Sequence, residues 1–144
     1  MTMKRTSFLV VALFLVATIF AQNPILGEWI TVDDNTGEQK SVVTIYQAEN
    51  GKYYGKIVEL FESNAATAVC TECTGEDHNK PIVGLTIIRD MQLKDNELRG
   101  GKVLDPDNGK FYYAKVYLKD GKLILRGSFD KAGLFGRSQT WLPK

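Results

Sequence analysis

The chain has 144 residues, of which 44% are hydrophobic and 24% charged, the composition of an ordinary globular domain. If residues 1–21 are a removable leader, 123 residues remain, enough for one domain with a single core and too few for two. Without Lys4 and Arg5, 16 basic residues stand against 17 acidic ones, which argues against binding of nucleic acid by bulk charge.

The N-terminus has the pattern of a secretory signal peptide. Lys4 and Arg5 form a basic head, and an apolar run of 13 residues, broken only by Thr18, follows at 8–20 and is closed by Ala21. A membrane-spanning helix needs roughly 20 apolar residues, so an uncleaved anchor is the less favoured interpretation. The sequence predicts a signal peptide over residues 1–21, a domain over residues 22–144, a periplasmic or secreted location, and no membrane span in the mature chain.

From Gln22 onward the hydrophobic pattern is that of strands. Apolar residues recur with a period of two, and no helical period lasts beyond one turn. Turn sequences separate the runs, and Asn50-Gly51 and Asp120-Gly121 favour tight hairpins. The predicted strands, in chain order, are 26–32, 41–47, 53–61, 85–92, 97–104, 111–118, 123–129 and 137–142. Gly100-Gly101 lies inside one of these runs and predicts a bulge rather than a phosphate-binding loop.

Consecutive hairpins predict strands that are antiparallel neighbours in sequence order. Eight such strands would leave two exposed edges in a flat sheet, and closing the sheet removes them. We therefore predict an all-β fold, a single eight-stranded antiparallel up-and-down β-barrel. A two-sheet sandwich is the alternative, because strand spacing alone does not separate the two folds.

The longest predicted connection, residues 62–83, contains Cys70, Cys73 and the single histidine of the chain, His78. In an exported protein the two cysteines predict a local disulfide, which pins the loop and contributes about 2 kcal/mol. The alternatives are two free thiols, a thiol redox motif, and a metal site made by both cysteines, His78, and Asp77 or Glu76. Because a second pair of metal ligands is missing, we predict no metal site. A thiol redox motif is disfavoured because the sequence signals no helix at the first cysteine.

The first strand opens with Gly27-Glu28-Trp29, and this Gly-x-Trp arrangement resembles the first-strand signature of lipocalin-like barrels. In those folds the Trp plugs one end of the barrel, and a basic side chain of the last strand packs across its ring. The resemblance implies that role for Arg137 or, failing that, Arg126.

Five further segments carry a second resemblance, and together with the opening strand they cover the mature chain in order. The closing run Gly-Arg-Ser-Gln-Thr-Trp, residues 136–141, is its most specific part. On these segments the chain resembles the secreted bacterial family known as domain of unknown function 2147. The resemblance implies a signal peptide followed by a lipocalin-like β-barrel, and it implies no activity and no catalytic residues. The segments are 54–58, 80–85, 100–106, 108–112, and 125–127 with 136–141.

Alternation along the last predicted strand places Arg137, Gln139 and Trp141 on one face. If Trp141 points inward, Arg137 needs a partner, because an unpaired buried charge costs several kcal/mol. The partner could be a carboxylate, the ring of the first tryptophan, or the acidic head of a ligand. Tyr113 and Tyr117 share a strand face that suits either a ligand lining or a filled core. The predicted ligand-binding residues are Trp29, Tyr113, Tyr117, Arg137, Gln139 and Trp141.

Catalytic motifs are missing from the sequence. With one histidine, no Gly-x-Ser-x-Gly and no phosphate-binding loop, we predict no catalytic residues, no cofactor and no enzymatic activity.

Our leading hypothesis is a barrel in the cell envelope or outside the cell that binds a small, partly apolar ligand in its cup. The alternative is a non-catalytic interaction module of the envelope, whose filled barrel contacts a protein or glycan through loop 62–83. A hollow interior is expected for the first hypothesis, and close packing for the second.

Overall fold

A computed structural model describes residues 21–144, so the predicted signal peptide lies, apart from Ala21, outside the described residues. Eight strands form a closed barrel in sequence order, and each pairs antiparallel with its neighbours. The predicted up-and-down barrel is confirmed, and the sandwich alternative is wrong. The strands are β1 (Gly27–Val32), β2 (Gln39–Gln47), β3 (Tyr53–Leu60), β4 (Thr86–Lys94), β5 (Glu97–Asp105), β6 (Lys110–Lys119), β7 (Lys122–Ser128) and β8 (Gly136–Pro143).

The turn sequences explain why consecutive strands form hairpins. Asp120 and Gly121 both adopt positive φ, 52° and 75°, as a two-residue type I′ turn requires. Gly100 also has a positive φ of 79°, and the register of β5 against β6 shifts between Leu98 and Gly101. The predicted bulge is therefore present, and it bends β5 around the barrel.

The two ends of the barrel differ. The connections β2–β3, β4–β5 and β6–β7 lie at one end, together with the segment that precedes β1. Ile25 of that segment is fully buried beside Trp29, so we call this end the closed end. The connections β1–β2, β3–β4, β5–β6 and β7–β8 lie at the opposite end, which we call the mouth.

Apolar side chains fill the barrel from the closed end to its middle. Val43 lies between Trp29 and Ile57 in register, and all three belong to one buried core cluster. A Cβ added at Gly55 would lie only 3.0 Å from the Cβ of Ile88, so Ile88 occupies the space opposite this glycine. Interior packing of this kind is typical of a filled barrel. Fully buried side chains include Ile45, Leu98, Val116, Leu123 and Trp141.

Two seams of the barrel have few paired residues. Strands β3 and β4 pair at only three positions, with register shifts between them. Strands β1 and β8 pair at two, Trp29 with Pro143 and Ile30 with Leu142. The first seam carries the long connection β3–β4, and the second closes the barrel.

Candidate functional site

The six residues that the sequence assigned to ligand binding do not come together. Trp29 and Trp141 are buried at the closed end, whereas Arg137 lies at the mouth end of β8. Trp29 pairs with Pro143, six residues beyond Arg137, which corresponds to roughly 20 Å along a strand. One ligand of modest size therefore does not contact both tryptophans and Arg137.

The predicted stacking of a basic side chain on Trp29 is wrong for both candidates. The indole nitrogen of Trp29 donates to the carbonyl oxygen of Ile25 at 2.8 Å, so the ring is held by the segment before β1. Arg126 points outward, and its Nε donates to the carbonyl oxygen of Gly133 at 2.8 Å. Between residues 21 and 144, the rings that carry a cation over their face are Phe111 and Tyr117.

Tyr113 and Tyr117 lie on the outer wall. Ala114 and Val116 lie on the inward face of β6 and are buried in the core. Tyr113 is 47% exposed, and the Nζ atom of Lys115 lies 5.2 Å from the ring centroid of Tyr117. The two tyrosines therefore do not line the interior of the barrel.

Arg137 faces the interior side of the sheet but emerges at the mouth. It lies opposite Gly127 in register, and Gln139 and Trp141 follow on the same face. Its side chain is 68% exposed, and its Nε atom lies 3.7 Å from a carboxylate oxygen of Asp34. An ion pair of this length and exposure contributes little. Deeper in the barrel, the amide oxygen of Gln139 accepts from the indole nitrogen of Trp141 at 3.2 Å.

Beside Arg137, the β7–β8 connection exposes three large apolar side chains at the rim of the mouth. Phe129, Leu134 and Phe135 are 74%, 74% and 71% exposed. The loop is nevertheless well held, because the carboxylate of Asp130 accepts from the backbone N–H groups of Leu134 and Phe135 at 2.9 and 2.7 Å. These two bonds hold the pKa of Asp130 below its ordinary value. The apolar rim is thus a fixed feature of the surface.

The β3–β4 connection is a structured loop closed by a disulfide between Cys70 and Cys73. The predicted disulfide is confirmed, so neither sulfur is a free thiolate for metal or redox chemistry. Both cysteines are buried, and the backbone of the loop closes on itself through a bridge between Val69 and Pro81. We call residues 61–85 the disulfide loop.

Besides backbone hydrogen bonds to Lys40 and Ile57, the disulfide loop packs on the β5–β6 turn and on β4. The carbonyl oxygen of Glu72 lies so close to Gly109, in the β5–β6 turn, that a Cβ there would overlap it. On the outer wall, Asp77 accepts from Arg89 of β4 at 3.0 Å and from Lys80 at 3.3 Å. The hydrogen bond from Arg89 holds the pKa of Asp77 below its ordinary value, despite the burial of the carboxylate. His78 is turned inward to its own loop, with Nδ1 3.0 Å from the carbonyl oxygen of Cys73.

An outer-wall cleft of about 440 Å³ lies where the disulfide loop meets β3 and β4. Tyr46 and Tyr54 form one side, as a stacked pair with ring centroids 6.1 Å apart. Sequence reasoning missed this cleft, because its two sides come from segments that are distant in the chain. The other lining residues are Ala48, Glu76, Asp77, Lys80, Gly84, Leu85, Thr86 and Arg89.

A second cleft lies at the mouth beside the start of the disulfide loop, lined by Glu38, Gln39, Lys40, Phe61 and Glu62. The pKa of nearby Asp107 is raised, first by partial burial and then by the neighbouring charge of Asp105. Several carboxylates, those of Glu38, Glu62, Asp105 and Asp107 among them, therefore lie on this side of the mouth.

Residues 21–144 lack two features that would indicate other kinds of site. No group of three or more His, Cys, Asp or Glu side chains is placed to hold a metal ion in this part of the chain. Among the same residues, no helix has the length and apolar character needed to cross a membrane.

The fold and its closed end define a lipocalin-like barrel, and the comparisons agree. The chain belongs to the bacterial family DUF2147, described as an uncharacterized protein conserved in bacteria, whose model matches residues 27–142. A solved structure, protein HP1028 from the human pathogen Helicobacter pylori, assigned to the lipocalin family, is similar in fold. It shares 24% sequence identity and a TM-score of 0.70 over 83% of this chain and 82% of its own. Among curated proteins, no match was found.

Proposed function

We propose that this protein is exported and binds a small, partly apolar ligand at the mouth of its barrel. The observation that carries the proposal is Arg137, an inward-facing guanidinium with 68% of its side chain exposed and one carboxylate partner at 3.7 Å. A charge so weakly paired is free to bind an acidic group of a ligand. Export is supported by the basic head and apolar run of residues 1–21 and by the disulfide.

The mouth suits a ligand better than the deep cup does. Close packing such as that of Ile88 against Gly55 fills the middle of the barrel, so the ligand rests above it. At the mouth, the rim supplies apolar contacts, and the rings of Tyr112 and Phe129 meet edge to face with centroids 5.4 Å apart. A ligand with one acidic end and an apolar body matches both features.

The test is native mass spectrometry of the protein after export and gentle purification. We expect a ligand that adds mass in the native spectrum and is lost on denaturation. Arg137→Ala should abolish its retention, whereas Arg99→Ala, which removes an exposed arginine paired with Glu97 elsewhere on the barrel, should retain it. Equal retention by both variants contradicts the proposal.

The outer-wall cleft favours a second candidate function, a non-catalytic interaction module of the cell envelope. Glu76, Asp77 and Lys80 of the disulfide loop form one side of the cleft, and the disulfide and the pairing of Asp77 with Arg89 fix their position. A preorganised surface of this kind loses little entropy when a partner binds. In both candidates the protein binds and does not catalyse, in keeping with a histidine that is bonded within its own loop.

A further inference from the structure

The outer-wall cleft offers two kinds of contact in one place. Tyr46 and Tyr54 are half-buried, with an interplanar angle of 27°, so their rings form a continuous aromatic side. The opposite side is polar and comes from the disulfide loop and β4. A volume of about 440 Å³ lies within the range of small-ligand sites.

The charges in the cleft cancel. Glu76 and Asp77 are acidic, Lys80 and Arg89 are basic, and no other charged residue of the described part, 21–144, lines the cleft. Asp77 is already paired with both basic residues, at 3.0 Å to Arg89 and 3.3 Å to Lys80. A strongly charged ligand would have to displace one of these pairs, so the cleft favours a neutral ligand.

Several polar groups in the cleft are available to a ligand. In the described part of the chain, the hydroxyls of Tyr46 and Thr86 and the carboxylate of Glu76 have no side-chain hydrogen-bond partner, and the Lys80 side chain is half exposed. The hydroxyls donate and accept, the carboxylate only accepts, and the ammonium only donates. This set matches a ligand whose own groups both donate and accept, which is the property of sugar hydroxyls.

A peptide strand fits the same cleft poorly. Strand addition needs a free sheet edge, and a closed barrel leaves none along its wall. A pyranose ring, in contrast, presents an apolar C–H face that can lie on an aromatic ring and a rim of hydroxyls that reaches the polar side.

We propose that the outer-wall cleft binds a neutral saccharide unit, stacked on the Tyr46–Tyr54 pair and hydrogen-bonded to Thr86 and Glu76. The inference rests on the second candidate function and names the class of partner at that site. It is independent of the ligand proposed for the mouth, since the cleft contains neither Arg137 nor the apolar rim.

The test is a titration of the ¹⁵N-labelled protein with cellobiose, with the N-acetylglucosamine disaccharide, and with maltose. We expect at least one disaccharide to shift the backbone amides of residues 46–56 and 76–89, with a dissociation constant on the order of 1 mM. Tyr46→Ala should weaken this binding at least about tenfold through the lost stacking surface. Tyr113→Ala is the matched control, an exposed tyrosine on the outer wall of β6, and should leave the affinity unchanged.

A variant that keeps the shape of the side chain distinguishes lost binding from a folding defect. Thr86→Val keeps the shape of the side chain and removes the hydroxyl, and it should weaken binding several-fold. If none of the three disaccharides shifts the cleft amides, or if the shifts cluster around Arg137, the saccharide proposal is overturned.

A cross-linking experiment separates the proposal from the function on which it rests. A photo-crosslinking residue placed at position 76 that captures one envelope protein, while the sugars have no effect, overturns the saccharide and keeps the interaction role. No capture and no sugar effect overturns both.

Discussion

Two hairpin turns at opposite ends of the barrel share a sequence and a bonding pattern but not their surroundings. Asn50-Gly51-Lys52 leads into β3 at the closed end, and Asn108-Gly109-Lys110 leads into β6 at the mouth. In both, the Asn side-chain oxygen accepts from the backbone N–H of the Lys at 2.9 Å. The Asn side-chain nitrogen donates to a Tyr hydroxyl four residues on, at 2.8 Å in the first turn and 2.9 Å in the second.

The surroundings separate the two turns. Nothing lies near the position of a Cβ on Gly51, whereas the carbonyl oxygen of Glu72 covers Gly109. Local sequence therefore suffices to form the turn. In the second turn, the disulfide loop also packs against Gly109. The same pattern has a purely local role at one end and a tertiary role at the other.

The largest expected effect is that of Gly109→Ala measured against Gly51→Ala. Both glycines have positive φ, 72° and 82°, so each substitution should cost about 1–2 kcal/mol of unfolding free energy. Gly109→Ala also forces its Cβ against Glu72, which should add about 1–3 kcal/mol. Urea unfolding measures the loss of unfolding free energy in each variant. Equal losses would show that the disulfide loop moves away from Gly109 at little cost.

Removing the disulfide should reduce the difference in unfolding free energy between Gly109→Ala and Gly51→Ala. Glu72 lies between Cys70 and Cys73, so the bond holds its carbonyl over Gly109. Cys70→Ser with Cys73→Ser should cost about 2 kcal/mol by itself. In that background the extra penalty of Gly109→Ala should shrink, and a double-mutant cycle of unfolding free energies measures the coupling. Strict additivity would mean that other contacts, and not the disulfide, hold Glu72 in place.

Acid should destabilise the Gly109 turn, which the disulfide loop covers, more than the Gly51 turn, which is open to solvent. The pKa of Asp77 is lowered from an ordinary 3.8 by its hydrogen bond from Arg89, so its stabilising effect is complete above that pH and is lost as the pH falls through the folded value. Because Asp77 anchors the disulfide loop, the protection of the Gly109 amide against hydrogen exchange, relative to its intrinsic rate at each pH, should fall in acid more than that of Gly51. Asp77→Asn should remove most of this difference in pH dependence. If both glycines respond alike in the unmodified protein, the anchoring role of Asp77 is wrong.

The smallest expected effect comes from the two tyrosine hydroxyls. The Tyr54 hydroxyl accepts from Asn50 and donates to Asp90 at 2.9 Å, whereas among residues 21–144 the Tyr112 hydroxyl has only its bond from Asn108. Tyr54→Phe should therefore cost about 1 kcal/mol and Tyr112→Phe about half as much, because each exposed bond contributes little. Thermal unfolding measures which variant loses more stability. A larger loss for Tyr112→Phe than for Tyr54→Phe would contradict this prediction.

Strand positions were predictable from the sequence because each run of alternating residues ends at a turn sequence such as Asp120-Gly121. Barrel closure followed from the need to remove sheet edges. Which face of β6 turns inward was not predictable, since residues 111–118 are apolar on both faces. Register decides that Ala114 and Val116 lie inside and Tyr113 outside.

The site was harder to predict than the fold, for a physical reason. Strand alternation gives the face of the sheet on which Arg137 lies but not its position along the barrel axis. The sequence therefore did not show that Trp29 lies at the other end of the barrel. The outer-wall cleft depends on packing between Tyr54 and a loop closed some twenty residues later, and no local pattern encodes that contact.

The seam between β1 and β8 has a consequence for how the chain folds. Seven of the eight seams join strands that follow one another, and in six of them a short turn lets pairing begin within a short stretch of chain. The eighth joins β1 to β8 through two residue pairs, Trp29 with Pro143 and Ile30 with Leu142, and cannot form until almost the whole domain is present. Contacts between such distant residues are slow to form because the connecting chain loses the most entropy. We expect this seam to form last during folding, and until then β1 and β8 leave the edges of an open sheet exposed to other chains.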